Sequence, residues 1–327
     1  MKIVLANELS EADAALYDAF VANAADAHYS QARAWADVAD AGKSVQSAYF
    51  LASDDGGVVA AARIQRARLG PMLLPAAVVE RGPIVETPEK LEQILPLLID
   101  TLRSRAVARI AVMPYFAGAE KKIAEEIMKR ERFRDVQKVS GAHVRTLRVD
   151  LRNRKADQIF SGGDRESLRR KLRDAEKSGV RVRRGHAQDV YVLQKLHDRM
   201  MLAQGKPKKS ARYFDALSRF AQQHDDGALF VAEHAQMPIA ALFSIAHGSI
   251  ATFVIGASTP NAMPFSIMAS AMREAIVWAH ARGCDYFDLG GIPGQNDADS
   301  KRASIAQFKS DFSKSPIDLA HEHARWF

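Results

Sequence analysis

Apolar positions along the chain change period several times, and each change marks an element. Between Ala12 and Ala24 the apolar residues Ala15, Leu16, Phe20 and Val21 fall on one side of a helix. The run SQARAWADVADAG predicts a second helix, with Ser30 as its cap and Gly42 as its stop. From Ser47 to Val79 the pattern shortens to that of consecutive strands. Asp55-Gly56-Gly57 makes a hairpin turn and Gly70-Pro71 a second break. Residues 88–105 return to helical spacing, ARIAVMP is a short strand, and a further helix covers 118–130.

The second half repeats this order. ALFVAEHAQMPIAALFSIAHGSIATFVIGAS reads as strands joined by tight turns, a helix follows over 264–281, and YFDLG is a closing strand. Strand-hairpin-strand, long helix and short strand thus occur twice, offset by roughly 180 residues, which is an internal repeat of architecture. An antiparallel sheet feeding a helix and then another strand suits an α/β (α+β) acyltransferase-like unit of the GNAT type. The expected fold is two such domains in tandem with a cleft between them. The boundaries fall at 1–148 and 149–312, with the tail 313–327 returning to the first domain.

Between the copies lies DRESLRRKLRDAEKSGVRVRRG. Asp164 caps a helix with the stripe Leu168, Leu172 and Ala175, Gly179 stops it, and VRV starts a strand. Residues 165–184 carry nine Lys/Arg against Glu166, Asp174 and Glu176. This is either a solvated helix face or a surface for an RNA backbone, since such clusters gain affinity by releasing phosphate counterions. A second basic run, QGKPKKSARYF, reads as a loop ending in adjacent aromatics; loops on a rigid scaffold often carry ligands.

Composition narrows the chemistry. With 327 residues the chain is long enough for two ordinary domains, and no apolar run reaches the roughly 18 residues of a membrane span. The N-terminus lacks a secretory signal pattern, so the cytoplasm is the expected compartment. A single cysteine, Cys284, rules out an internal disulfide and reads as a packed residue. The net charge of +7 favours polyanionic partners: RNA, nucleotide-linked substrates or a lipid head-group surface. The glycines of DLGGIPGQ do not follow P-loop or Rossmann spacing. No G-x-S-x-G occurs, and the Gln/Arg-x-x-Gly-x-Gly loop of acetyl-CoA enzymes is missing after both Val79 and Ser258.

Several stretches in order resemble the Fem-type (FemABX) peptidyltransferases: S-Q-x-x-x-W at Ser30–Trp35, R-G-P at Arg81–Pro83, and LRRKLRDAEKSGVRV. YFDLGGI at Tyr286–Ile292 and QFKSDF at Gln307–Phe312 complete the set. The chain is similar to the short form of that family, without a coiled-coil arm. The resemblance implies transfer of an amino acid from aminoacyl-tRNA to an amine acceptor such as a peptidoglycan-precursor stem peptide. Partners would be aminoacyl-tRNA and a nucleotide- or lipid-linked amine, with peripheral contact to a membrane surface. No cofactor and no metal are expected.

The same resemblance implies roles for particular residues. Arg33 would meet an acceptor diphosphate, with Trp35 as the neighbouring ring. Phe308-Lys309 matches the family's Phe-Lys pair, whose lysine offsets negative charge on the donor carbonyl. Arg212 and Tyr213 would grip the acceptor, and Glu86 stands at an acidic position after R-G-P. The chain departs from many relatives at Ala39, where they carry lysine, and at SKSPI after Phe312. Two other readings stay open: an acyl-CoA-dependent N-acyltransferase on the same fold, and a non-catalytic RNA- or glycan-associated protein.

Overall fold

The computed structural model describes residues 1–25, 27–136, 142–161, 165–259, 266–293 and 300–327. The Asp164 cap, the start of the helix placed at 264–281, and most of the loop following Gly291 lie outside the described residues. The chain divides into two compact units, Met1–Arg145 with Ile317–Phe327, and Thr146–Pro316.

The first unit opens with β1 (Lys2–Ala6), α1 (Glu11–Asn23) and α2 (Ala36–Asp40). A meander follows: β2 (Val45–Asp54), β3 (Gly57–Leu69) and β4 (Met72–Glu80), with the short β5 (Ile84–Val85) on β3. Helix α3 (Leu91–Arg103) crosses over to β6 (Arg109–Met113), which pairs parallel to β4. Its apolar period is complete, since Leu91, Ile94, Leu95, Leu98, Ile99 and Leu102 are all buried. Then come α4 (Gly118–Arg130) and β7 (Arg134–Asp135); β8 (Arg145–Asp150) opens the second unit.

The second unit continues with α5 (Glu166–Lys177), β9 (Arg181–Gly185), α6 (Val190–Ala203) and α7 (Ala211–Gln223). Its meander is β10 (Gly227–His234), β11 (Met237–His247) and β12 (Ile250–Ser258). Helix α8 (Ile267–Ala281) crosses to β13 (Tyr286–Gly291), parallel to β12, and α9 (Ser300–Ser310) follows. The chain closes with β14 (Pro316–Asp318) and β15 (His323–Trp326).

The sheets run β1-β2-β3-β4-β6-β15-β7 in the first unit and β8-β13-β12-β11-β10-β9 in the second. Both have one plan: four antiparallel strands, a crossover helix, a parallel strand, and an antiparallel strand distant in sequence, β15 on β6 and β8 on β13. The boundary expected after residue 148 falls inside β8, whose ladder with β13 begins at Thr146.

Three local expectations are corrected. Helix α1 buries Ala14, Tyr17 and Val21, while Leu16 is half exposed. Tyr17 decides the face: its hydroxyl donates to the Gln31 carbonyl at 2.9 Å and its ring meets Tyr49 edge-on. The segment from Ser30 is two 3-10 turns before the short α2, because Ser30 and Gln31 are spent on tertiary bonds instead of capping. The Ser30 hydroxyl donates to the Glu80 carbonyl at 3.3 Å, while the Gln31 amide spans the Glu80 carbonyl and the Arg63 N–H. Third, QGKPKKSARYF is not loop to its end. Ser210 caps α7, accepting from the Tyr213 N–H, so Arg212 and Tyr213 lie in the first helical turn.

Gly82 of R-G-P acquires a reason here. A Cβ at this position would stand 2.9 Å from the Gln31 carboxamide carbon. That amide is held at both ends, so it cannot swing away without losing a buried hydrogen bond. Gly82→Ala is expected to cost about 1–3 kcal/mol in chemical denaturation, and a loss under 0.5 kcal/mol would remove this packing account.

Candidate active site

The apolar run YFDLGG places a carboxylate inside a buried strand. Asp288 is mid-strand in β13. It is 1 % exposed, so its charge must be met. Thr146 Oγ1 donates to Oδ1 at 2.5 Å, the Gly290 N–H to Oδ1 at 2.7 Å, and Arg148 Nε to Oδ2 at 3.2 Å. Both side chains come from β8, the strand paired with β13.

Beyond Asp288 the sheet forks. The β12–β13 ladder runs Ile250↔Tyr286, Ala251↔Phe287, Thr252↔Asp288 and stops, while β12 continues to Ser258. Gly290 sits at the fork with φ 75°, a left-handed conformation that costs a side-chain-bearing residue about 1–2 kcal/mol. A Cβ here would be 3.4 Å from the Phe253 carbonyl and 3.6 Å from Lys309 Nζ.

Lys309 enters this fork from the last turn of α9, where the helix C-terminus favours a cation. It is 6 % exposed, and Nζ donates to the Gly291 carbonyl at 2.7 Å, with the Phe253 ring centroid 5.9 Å away. Burial pulls its pKa down to about 8, and Asp288 works in the opposite direction. The ammonium is therefore mostly charged near neutrality but releases its proton far more readily than a surface lysine. One of its three N–H groups is used on Gly291, which leaves donors for an oxygen atom of a ligand. Phe308 packs on the apolar core of this unit and meets Phe312 edge-on at 5.6 Å, fixing the helix that carries Lys309. Lys171 of α5 clamps the following turn, 2.6 Å from the buried Asp311.

The other sequence-predicted residues fall elsewhere. Arg212 is exposed, whereas the Tyr213 ring lies under Lys209 and its hydroxyl pKa is raised by burial. Neither has a described contact with Lys309. In the first unit Arg33 forks onto Asp18, with Nε at 2.9 Å and Nη2 at 2.7 Å, so two of its donors are already engaged. Trp35 is buried and edge-on to Tyr29 at 5.2 Å. Glu86 is exposed on the rim of a cavity of about 420 Å³, lined also by Arg81, Phe20, Tyr115 and Phe116 but not by Arg33 or Trp35. Sequence reasoning missed Thr146, Arg148 and Phe253. A charged residue inside an apolar run was the one available sign that partners had to exist.

Two sheets of this plan, each with a parallel pair fed by a crossover helix and the second with that pair forked, define the tandem form of the GNAT acyltransferase fold. Residues 163–302 match the family model described as Acetyltransferase (GNAT) domain. The whole chain shares the fold of a solved FemX structure, at 15% identity and a TM-score of 0.84, covering 100% of this chain and 98% of that one. It is also similar to the C-terminal domain of a putative lysylphosphatidylglycerol synthetase from Agrobacterium fabrum (14% identity, TM-score 0.60, 96% and 92% covered). A third likeness is a tandem GNAT protein from the clavulanic acid biosynthesis pathway (9% identity, TM-score 0.56, 99% and 98% covered). No curated protein matches the chain by sequence. The sequence resemblance to Fem-type proteins thus holds at the level of the fold. Among the described residues no helix is long and apolar enough to cross a membrane.

Proposed function

We propose that this protein is an acyltransferase that moves an amino acid from aminoacyl-tRNA to the amine of an acceptor such as a peptidoglycan-precursor stem peptide. The observation that carries the reading is Lys309, a buried cation at the fork of a GNAT sheet with donors to spare. The ester of aminoacyl-tRNA is already activated, so no covalent nucleophile is required. The neutral amine adds to the ester carbonyl, negative charge develops on its oxygen, and the tetrahedral species collapses as the C–O bond to the ribose breaks. The proton the amine gives up passes to the leaving ribose oxygen, so that an amide and a free ribose hydroxyl result. Lys309 donates to that oxygen as its charge grows, and a donor held in a dry site is worth far more there than in water. On the Fem-type resemblance the acceptor is assigned to Arg33, Trp35, Glu86, Arg212 and Tyr213. Arg33 would exchange Asp18 for the acceptor, Glu86 and Arg212 are exposed to it, and the buried Trp35 and half-buried Tyr213 rings would support their neighbours. The basic residues of α5 and β9 are assigned to the tRNA backbone.

An acyl-CoA donor is the second reading, favoured by the match to an acetyltransferase domain over 163–302. Against it stand the missing glycine loop and the placement of Lys309 on the Gly291 carbonyl, which occupies the fork an extended amide ligand would have to pair with. The purified protein would be given radiolabelled aminoacyl-tRNA or radiolabelled acetyl-CoA, each with a nucleotide-linked stem peptide. Label is expected to pass from the tRNA and to stop when the tRNA is digested first. Transfer from acetyl-CoA with none from charged tRNA would sink the donor assignment.

A further inference from the structure

One end of the first unit's sheet carries large apolar side chains in the open. In the β3–β4 hairpin, Leu69 is 66 % and Met72 57 % exposed, and they face each other across the turn at Gly70-Pro71. At the same end Trp326 of β15 is 72 % exposed. The hairpin projects past its neighbour, because Ala76 is the first β4 residue paired with β6. The Pro75 carbonyl still accepts from the Ala108 N–H at 2.9 Å, so the three residues before it overhang on that side, about 10 Å of strand at ~3.3 Å per residue.

This apolar tip is ringed by arginines. Arg68 lies beside Leu69 in the hairpin, and Arg66 is close enough to Arg105 for the two cations to repel. Arg109 pairs across the sheet with Trp326 and lies over its ring at 5.7 Å, while Arg103 covers Phe327 at 5.1 Å. Of these, only Arg103 has a carboxylate among the described residues, Asp100 at 3.6 Å. Toward this end Asp40 is taken up by Arg63 and Gln65 and Glu131 lies 3.7 Å from Arg325, while Glu8, just past β1, makes no described ion pair.

From this arrangement we infer that the hairpin tip and the arginine rim form a docking surface for a membrane bearing anionic lipids. Leu69 and Met72 enter the boundary between head groups and acyl chains, Trp326 sits at head-group depth, and the arginines meet lipid phosphates. The protruding aliphatic pair selects lipid over RNA. A phosphate backbone satisfies arginines but offers nothing to leucine and methionine, and exposing both side chains in water has no compensating gain. The surface is independent of the transfer chemistry, and it would place an acyltransferase against a lipid-linked acceptor.

The test is flotation of the full chain with vesicles of phosphatidylcholine alone or with about one-third phosphatidylglycerol. Binding is expected only to the anionic vesicles, weakening as salt rises. Leu69→Ser combined with Met72→Ser is expected to lower partitioning about tenfold or more, since either buried side chain accounts for roughly that factor. Arg66→Gln with Arg68→Gln should lower it and flatten the salt dependence. Trp326 emission should shift to the blue on binding, a signal absent from Trp326→Phe. Thermal unfolding of each variant checks that the exposed positions leave the fold intact. Failure to float, or flotation unchanged by the hairpin variants, overturns the proposal. So does loss of tRNA binding in the arginine variants with vesicle binding unaffected, which would make the rim an RNA surface.

Discussion

Lys309→Met is expected to lower aminoacyl transfer about 10²–10³-fold while leaving the fold as stable or more so, as judged from single-turnover rates and urea unfolding. The activity loss follows from removing the donor to the developing oxyanion. The stability gain follows from burial. A lysine whose pKa falls from 10.5 to about 8 on folding pays for its charged form at neutral pH, on the order of 3 kcal/mol. Methionine fills a similar volume without charge and leaves the Gly291 carbonyl unpaired, which returns roughly 1–3 kcal/mol of that gain.

The pH dependence has a definite sign. Between pH about 8 and 10.5 the unfolded chain holds a proton on Lys309 that the folded chain has released, so the wild type gains stability as pH rises through this window. The difference between wild type and Lys309→Met should close over the same range. Transfer by the wild type should fall above pH about 8 as the ammonium is lost. A variant several kcal/mol less stable at neutral pH would make Lys309 a structural residue, and unchanged turnover would remove it from the mechanism.

The second large effect belongs to Asp288→Asn. Asparagine keeps Oδ1 as the acceptor for Thr146 and the Gly290 N–H but removes the negative charge facing Arg148. Both partners are nearly sealed from solvent, with side chains 9 % and 1 % exposed, so breaking the pair is expected to cost about 3–5 kcal/mol. Asp288 also supports the charge of Lys309, so its neutralisation should move the alkaline limb of the rate profile to lower pH. Stability within 0.5 kcal/mol of wild type together with an unmoved profile would disconnect Asp288 from the site.

The two halves of the candidate site differed in how readable they were. Lys309 was reached through QFKSDF, and the structure supplies a physical setting for that lysine. YFDLG was legible as a strand, yet the partners of its Asp288, Thr146 and Arg148, were not, because they lie 140 or more residues away in sequence. Arg33 shows the opposite case. Its position in S-Q-x-x-x-W was plain, but the Asp18 carboxylate that engages it comes from α1, whose buried face the sequence pattern misassigned. Alanines on several sides of α1 left its stripe ambiguous, and Tyr17 settled it by bonding to Gln31.

The two meanders, the crossover helices and the doubled plan were readable from the chain itself, because hydrophobic period is a local property; β1, α6, α7 and β15 were not read. A strand alternates and a helix repeats wherever it later packs. Which strands pair, where the β12–β13 ladder stops and how deeply Lys309 is buried are not local properties. They arise when segments far apart in sequence exclude water from one another, and charge responds to that exclusion. The same lysine on an exposed helix would be an ordinary surface cation. Folded against Phe253 and the Gly290–Gly291 turn, with Asp288 nearby, it has a pKa of about 8 and a role to test.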